Sequence, residues 1–96
     1  MQYPTIRRAA LEILIDANGP TSTNEAEADA IVREFIKNED PARLIAVESE
    51  LAALSEADFD AVCSGERIGD NEFRNEEGKT VTISADTSEF LDIMSL

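Results

Sequence analysis

The sequence predicts a mainly α fold: a small bundle of about four helices, then a C-terminal β-hairpin and a short final helix, in a single acidic domain over residues 1–96. Three observations predict it. Apolar residues recur at spacings of three and four through most of the chain, punctuated by helix-start and helix-stop residues. The period changes to two only after Gly65. Leu, Ile, Val and Phe supply 24 of the 96 residues, above the roughly one-fifth level below which a highly charged chain stays disordered. A chain of roughly this length buries more than half of its unfolded surface.

The first helix runs from Pro4 to Ala17, with Ile6, Ala10, Ile13, Leu14 and Ala17 on one stripe and Asn18-Gly19-Pro20 as its stop. Ser22, three residues before Glu25, reads as a capping box opening a second helix, in which Ala28, Ile31, Val32, Phe35 and Ile36 form the apolar face to about Lys37. Asp40-Pro41 reads as an N-cap with proline at the first helical position, followed by Leu44, Val47, Leu51 and Leu54. Ser55 and Asp58 open a fourth, short helix carrying Phe59, Val62 and Cys63 on one face and ending at Gly65. Val81, Ile83 and Ala85 then alternate with Thr80, Thr82 and Ser84, and Glu77-Gly78 separates them from Phe73, which predicts the hairpin. Asp86 with Glu89 reads as the cap of a last helix bearing Phe90, Ile93 and Met94.

Short connections between helices favour antiparallel neighbours. A two-stranded hairpin is marginal alone, so it is expected as an appendage whose Phe73, Val81 and Ile83 pack on the fourth or the terminal helix. Ile15, Ile45, Leu91 and Leu96 lie off these stripes. That surplus supports an alternative in which the chain is a structural or regulatory module, a homo-oligomer or complex subunit acting through apolar contacts.

Charge narrows the function classes. Twenty-one acidic and 8 basic residues give −13, of which residues 1–48 contribute −4 and residues 49–96 contribute −9. Such a domain repels phosphates and anionic headgroups, so neither direct nucleic-acid binding nor a membrane surface is expected. No apolar run approaches the roughly 18 residues of a membrane span. The N-terminal stretch, with Glu12 and Asp16 soon after Arg7 and Arg8, does not read as a signal peptide. A single cysteine, Cys63, makes no intramolecular disulfide and fits a reducing cytoplasm.

The sequence contains no histidine, which removes the usual general acid–base, triad and zinc-hydrolase chemistries and every Cys/His zinc site. Its four glycines, at 19, 65, 69 and 78, form no phosphate-cradling loop. The EF-hand template fails from either start. From Asp70 the glycine position is Asn75 and the twelfth residue Val81; from Asp60, Val62 occupies a ligand position and Asn71 the twelfth. The Asp-Ser-Leu setting of an acyl carrier protein does not occur. Cys63, among Asp58, Asp60 and Glu66, sits where thiolate formation is disfavoured and reads as a small core residue. No enzyme, cofactor or metal site is expected.

Many of the acids fall at predicted helix N-termini, where they complement the macrodipole: Glu25, Glu27, Asp40, Glu56, Asp58, Asp86 and Glu89. From Glu48 to Glu77, however, ten carboxylates face only Arg67 and Arg74. Glu56 and Asp60 are four apart on one helix face, with Cβ atoms about 5–6 Å apart, a separation comparable to successive phosphates on a nucleic-acid strand. The residues expected to bind a partner are Glu56, Asp58, Asp60, Glu66, Glu72, Glu76 and Glu77. The partner expected is the basic, nucleic-acid-binding surface of another protein.

The stretch Leu54-Ser-Glu-Ala-Asp-Phe-Asp-Ala-Val-Cys-Ser-Gly-Glu66 resembles the helix-and-glycine segments of small proteins of bacteriophages and other mobile elements. The short acidic chain without a catalytic set is similar to anti-CRISPR and anti-restriction inhibitors. The resemblance covers about thirteen residues and carries over no individual functional residue. It implies a class: a non-enzymatic protein that blocks a host nucleic-acid enzyme, as a DNA mimic does, in the host cytoplasm.

Overall fold

Proline and capping residues fix where the chain turns helical. The computed structural model describes residues 3–95, and among them are five helices and three short strands. In chain order these are α1 (Pro4–Asn18), α2 (Asn24–Asn38), α3 (Pro41–Ala52), α4 (Glu56–Ser64), β1 (Glu66–Arg67), β2 (Glu72–Arg74), β3 (Thr80–Thr82) and α5 (Ala85–Met94). The mainly α class holds. The expected hairpin is present as β2 and β3, with Phe73 opposite Val81, and β1 adds a third antiparallel strand, Glu66 opposite Arg74, in a sheet of order β1-β2-β3. β1 is too short and too exposed at both residues to leave an alternation in the sequence.

Two of the expected caps are in place: the Asp40 carboxylate accepts from the Ala42 N–H at 2.9 Å, and the Ser55 hydroxyl from the Asp58 N–H at 3.2 Å. Two are displaced. α2 starts at Asn24, not at a Ser22–Glu25 box, because residues 21–23 form a turn and the buried Asn24 side chain reaches back to donate to the Gly19 carbonyl at 2.8 Å. α5 is capped by Ser84, whose hydroxyl accepts from the Thr87 N–H at 3.2 Å, so Ala85 belongs to the helix and not to a strand.

One core joins helices and sheet. Ile6, Ala10 and Ile13 of α1, Val32 and Phe35 of α2, Leu44, Val47 and Leu51 of α3, and Phe59 and Val62 of α4 are buried together with Phe73, Val81 and Ile83. The sheet is therefore part of the core and not an appendage, as burial of its three apolar side chains against α4 requires. Phe90 of α5 is fully buried and stacks on Phe35, ring centroids 4.5 Å apart. Each such aromatic ring removed from water stabilises the fold by about 1.5–3 kcal/mol. Of the residues off the predicted stripes, Leu91 is buried, Ile15 and Ile45 are exposed, and Leu96 lies outside the described residues.

Helix ends are completed from a distance. Pro4 has no N–H to satisfy, and the next two, of Thr5 and Ile6, both donate to the Glu48 carboxylate of α3 at 2.9–3.1 Å. Two residues further along α3, Glu50 accepts from the Ser84 N–H at 3.1 Å and the Ser84 hydroxyl at 2.8 Å, at the start of α5. A third junction is built on Arg43 of α3. Its guanidinium meets Glu39 at 2.5 Å, Asp86 at 3.1 Å and Glu89 at 2.7 Å while lying 5.0 Å from the centre of the Phe90 ring.

Candidate partner-binding site

The position of the acidic surface is set by how the chain leaves α4. Gly65 ends the helix in an extended conformation, its N–H donating to the Ala61 carbonyl at 2.8 Å. A Cβ there would sit 2.7 Å from the Ala61 backbone, so a side chain at this point would push β1 away from α4. The far end of the sheet is fastened to the same helix by Asn75. This buried side chain donates to Asp58 Oδ1 at 2.9 Å and accepts from the Glu77 and Lys79 N–H groups, each at 2.9 Å. Gly78, at φ +80°, closes the turn.

These two attachments leave a cleft of about 320 Å³ between α4 and the sheet, whose polar walls are Asp60, Ser64, Glu66, Arg74 and Glu76. Of the seven expected binding residues, Asp60, Glu66 and Glu76 thus come together, all three exposed. Glu66 is 3.9 Å from Arg74, a loose pair with both side chains at least half exposed. Glu72 lies on the solvent face of β2, on the same side as Arg74 but outside the cleft. Glu77 is exposed in the turn and does not line it.

Glu56 and Asp58 make contacts within the fold. Glu56 receives two hydrogen bonds from the Arg8 guanidinium, at 2.7 and 3.1 Å, and Arg8 in turn lies 4.3 Å from the centre of the Phe59 ring, clamping α4 to α1. The Arg8 hydrogen bond and charge hold the Glu56 carboxyl below its ordinary range. The like-charge neighbours Glu56 and Asp60 are thereby reconciled by a base from another helix. Asp58 is half-buried and holds the Asn75 side chain. Glu48 and Glu50, counted in the sequence as surplus charge, accept from the first N–H groups of α1 and from Ser84, the cap of α5.

Cys63 is half-buried against the core, and burial, with Glu12 and Asp60 nearby, pushes its thiol up to about 12. That disfavours the thiolate at neutral pH. Among the described residues no three carboxylate or thiol side chains converge as ligands for a metal ion, and no helix is long and apolar enough to cross a membrane. What the cleft offers chemically is a set of hydrogen-bond-accepting carboxylates around one arginine, suited to cationic side chains.

Comparison with family models, with curated proteins and with solved structures gave no match. The site is therefore defined by its own geometry. Arg74, Ser64 and Asn75 were not among the expected site residues. For Asn75 a signal exists in Asn75-Glu-Glu-Gly78, an Asx-turn composition.

Proposed function

We infer that the chain is a non-enzymatic, protein-binding inhibitor whose acidic cleft between α4 and the sheet engages a basic nucleic-acid-binding site on another protein. The observation that supports this reading is a division of labour among the acids. All four carboxylates from Glu48 to Asp58 are engaged within the fold, by helix starts, by Arg8 or by Asn75, whereas Asp60, Glu66 and Glu76 surround one cleft and stay open to solvent. Exposed ion pairs are each worth about 0–1 kcal/mol. Such a surface therefore governs association rate and salt dependence more than the strength of any single contact. The phage-type inhibitor class suggested by the resemblance is the setting in which a surface of this kind excludes DNA or RNA from an enzyme.

The experiment is affinity capture of bacterial proteins on the tagged chain, eluted by a salt gradient and challenged with DNA and RNA, in parallel with a variant carrying Asp60→Lys, Glu66→Lys and Glu76→Lys. The reading requires a nucleic-acid enzyme that elutes at moderate salt, is displaced by nucleic acid and is lost from the variant. Equal capture by both proteins would sink it.

A second reading, an apolar interaction module, is favoured by five isoleucines left at least 39% exposed: Ile15, Ile36, Ile45, Ile68 and Ile93. It requires salt-insensitive capture or self-association, which sedimentation at several concentrations detects.

A further inference from the structure

A second concavity lies between α2 and α5, on elements that contribute nothing to the acidic cleft. It measures about 430 Å³, and its apolar surface comes from Ala30, Ile31, Phe35 and Ile93. That volume falls within the range of about 300–1,000 Å³ typical of sites that enclose a bound group. Phe35 is 4% exposed and held rigidly by its stack on Phe90, so it forms a floor; Ile93 is 41% exposed and forms a wall. Ala30 keeps the α2 side low enough for another backbone to approach.

The charge around this groove is one-sided. Glu34 and Glu39 line it, and among the described residues no base does. Arg43, the nearest junction, is one guanidinium against Glu39, Asp86 and Glu89, which leaves two negative charges there. Glu34, hydrogen-bonded to Asn38 at 3.1 Å, adds a third. The bases of α2, Arg33 and Lys37, stand four apart on another stripe and do not line the groove. A second copy of the chain would bring an identical negative rim and another −13 within a Debye length of about 8–10 Å.

We propose that the groove between α2 and α5 docks a basic amphipathic helix of a partner protein, which seats one large apolar side chain on Phe35 between Ile31 and Ile93 while its lysines or arginines meet Glu34 and the carboxylates around Arg43. This is the helix-in-groove mode of recognition, in which apolar anchors supply affinity and the charged flank selects the partner. It is independent of the cleft reading, since the two surfaces share no residue.

The test uses the full chain and a fluorescent helical peptide with leucines on one face and lysines on the other. A companion peptide carries serine in place of every leucine and measures the purely electrostatic attraction of a −13 protein. The leucine peptide should bind at least about tenfold more tightly than the serine peptide, the gain expected from burying one apolar side chain. The perturbed backbone amides should cluster in the second half of α2 and the end of α5. Ile93→Asp should remove the leucine advantage while leaving the serine peptide within about twofold. Because Ile93 is 41% exposed, that change leaves the core filled, which circular dichroism verifies; Ile93→Ala should fall between. Equal binding of the two peptides, or an advantage that survives Ile93→Asp with shifts around α4 and the sheet, would overturn the proposal. So would a dimer of the unmodified chain that Ile93→Asp dissociates, since the groove would then be covered by a second copy.

Discussion

The carboxylates of α3 and those around the α4–sheet cleft are chemically alike and do opposite things. Glu48 and Glu50 each lie under the start of another helix and accept its free N–H or hydroxyl groups. Asp60, Glu66 and Glu76 have, at closest, the loose 3.9 Å approach of Arg74 to Glu66. A carboxylate that satisfies backbone donors is held by geometry and contributes to stability; one that faces water contributes charge that another molecule can use. Net charge alone does not distinguish the two, which is why a surplus counted along the chain overstated the acidic surface.

The comparison breaks most visibly at Glu48. Glu48→Ala strips the acceptor from two N–H groups at the start of α1 and should lower the unfolding free energy in urea by about 1–3 kcal/mol. Glu50→Ala should cost less, about 1 kcal/mol, because the Ser84 hydroxyl still caps α5. Replacing Asp60, Glu66 and Glu76 together by their amides should change stability by less than about 0.5 kcal/mol per site, with the melting temperature unchanged or slightly raised as like charges are removed. A loss comparable to that of Glu48→Ala would mean that the cleft carboxylates also serve the fold. The smallest effect sharpens the contrast through pH. Arg8 depresses the Glu56 carboxyl below the ordinary 4.5, so Glu56 contributes stability above that value and loses it as pH falls through its folded-state value. Glu56→Gln should therefore be less stable than the unmodified chain at neutral pH, and the difference should vanish in acid and shrink in high salt.

Much of the helical part was legible in the sequence because its signals are local. Asp40-Pro41 and Ser55 mark real helix starts, and the stripes through Ile6, Val32, Leu44 and Phe59 face the core. What escaped was long-range or very short. β1 has two residues, both exposed. Ser22 lost its cap to a turn stabilised by Asn24, and Ser84 was hidden in an alternation that continues past the end of β3. Of the expected site residues, Asp60, Glu66 and Glu76 line one cleft, whereas the contacts of Glu56 and Asp58 depend on Arg8 and Asn75, 48 and 17 residues away. No spacing rule reaches that far.

The cap supplied by Glu48 also has a consequence for how the chain acquires its structure. α1 precedes α3 in synthesis, and its N-terminal donors find their acceptor only when a residue 42 or 43 positions later has arrived and docked. For α5 the order is reversed: Glu50, 34 residues earlier in the chain, is already made when Ser84 emerges, so this contact depends only on α3 being docked. A helix of about 15 residues is marginal by itself in water, so neither end of the protein should persist as an ordered piece while α3 is absent or misplaced. A nascent chain cut short of residue 48 should stay unstructured and open to proteases until the middle helix is in place to complete both of its neighbours.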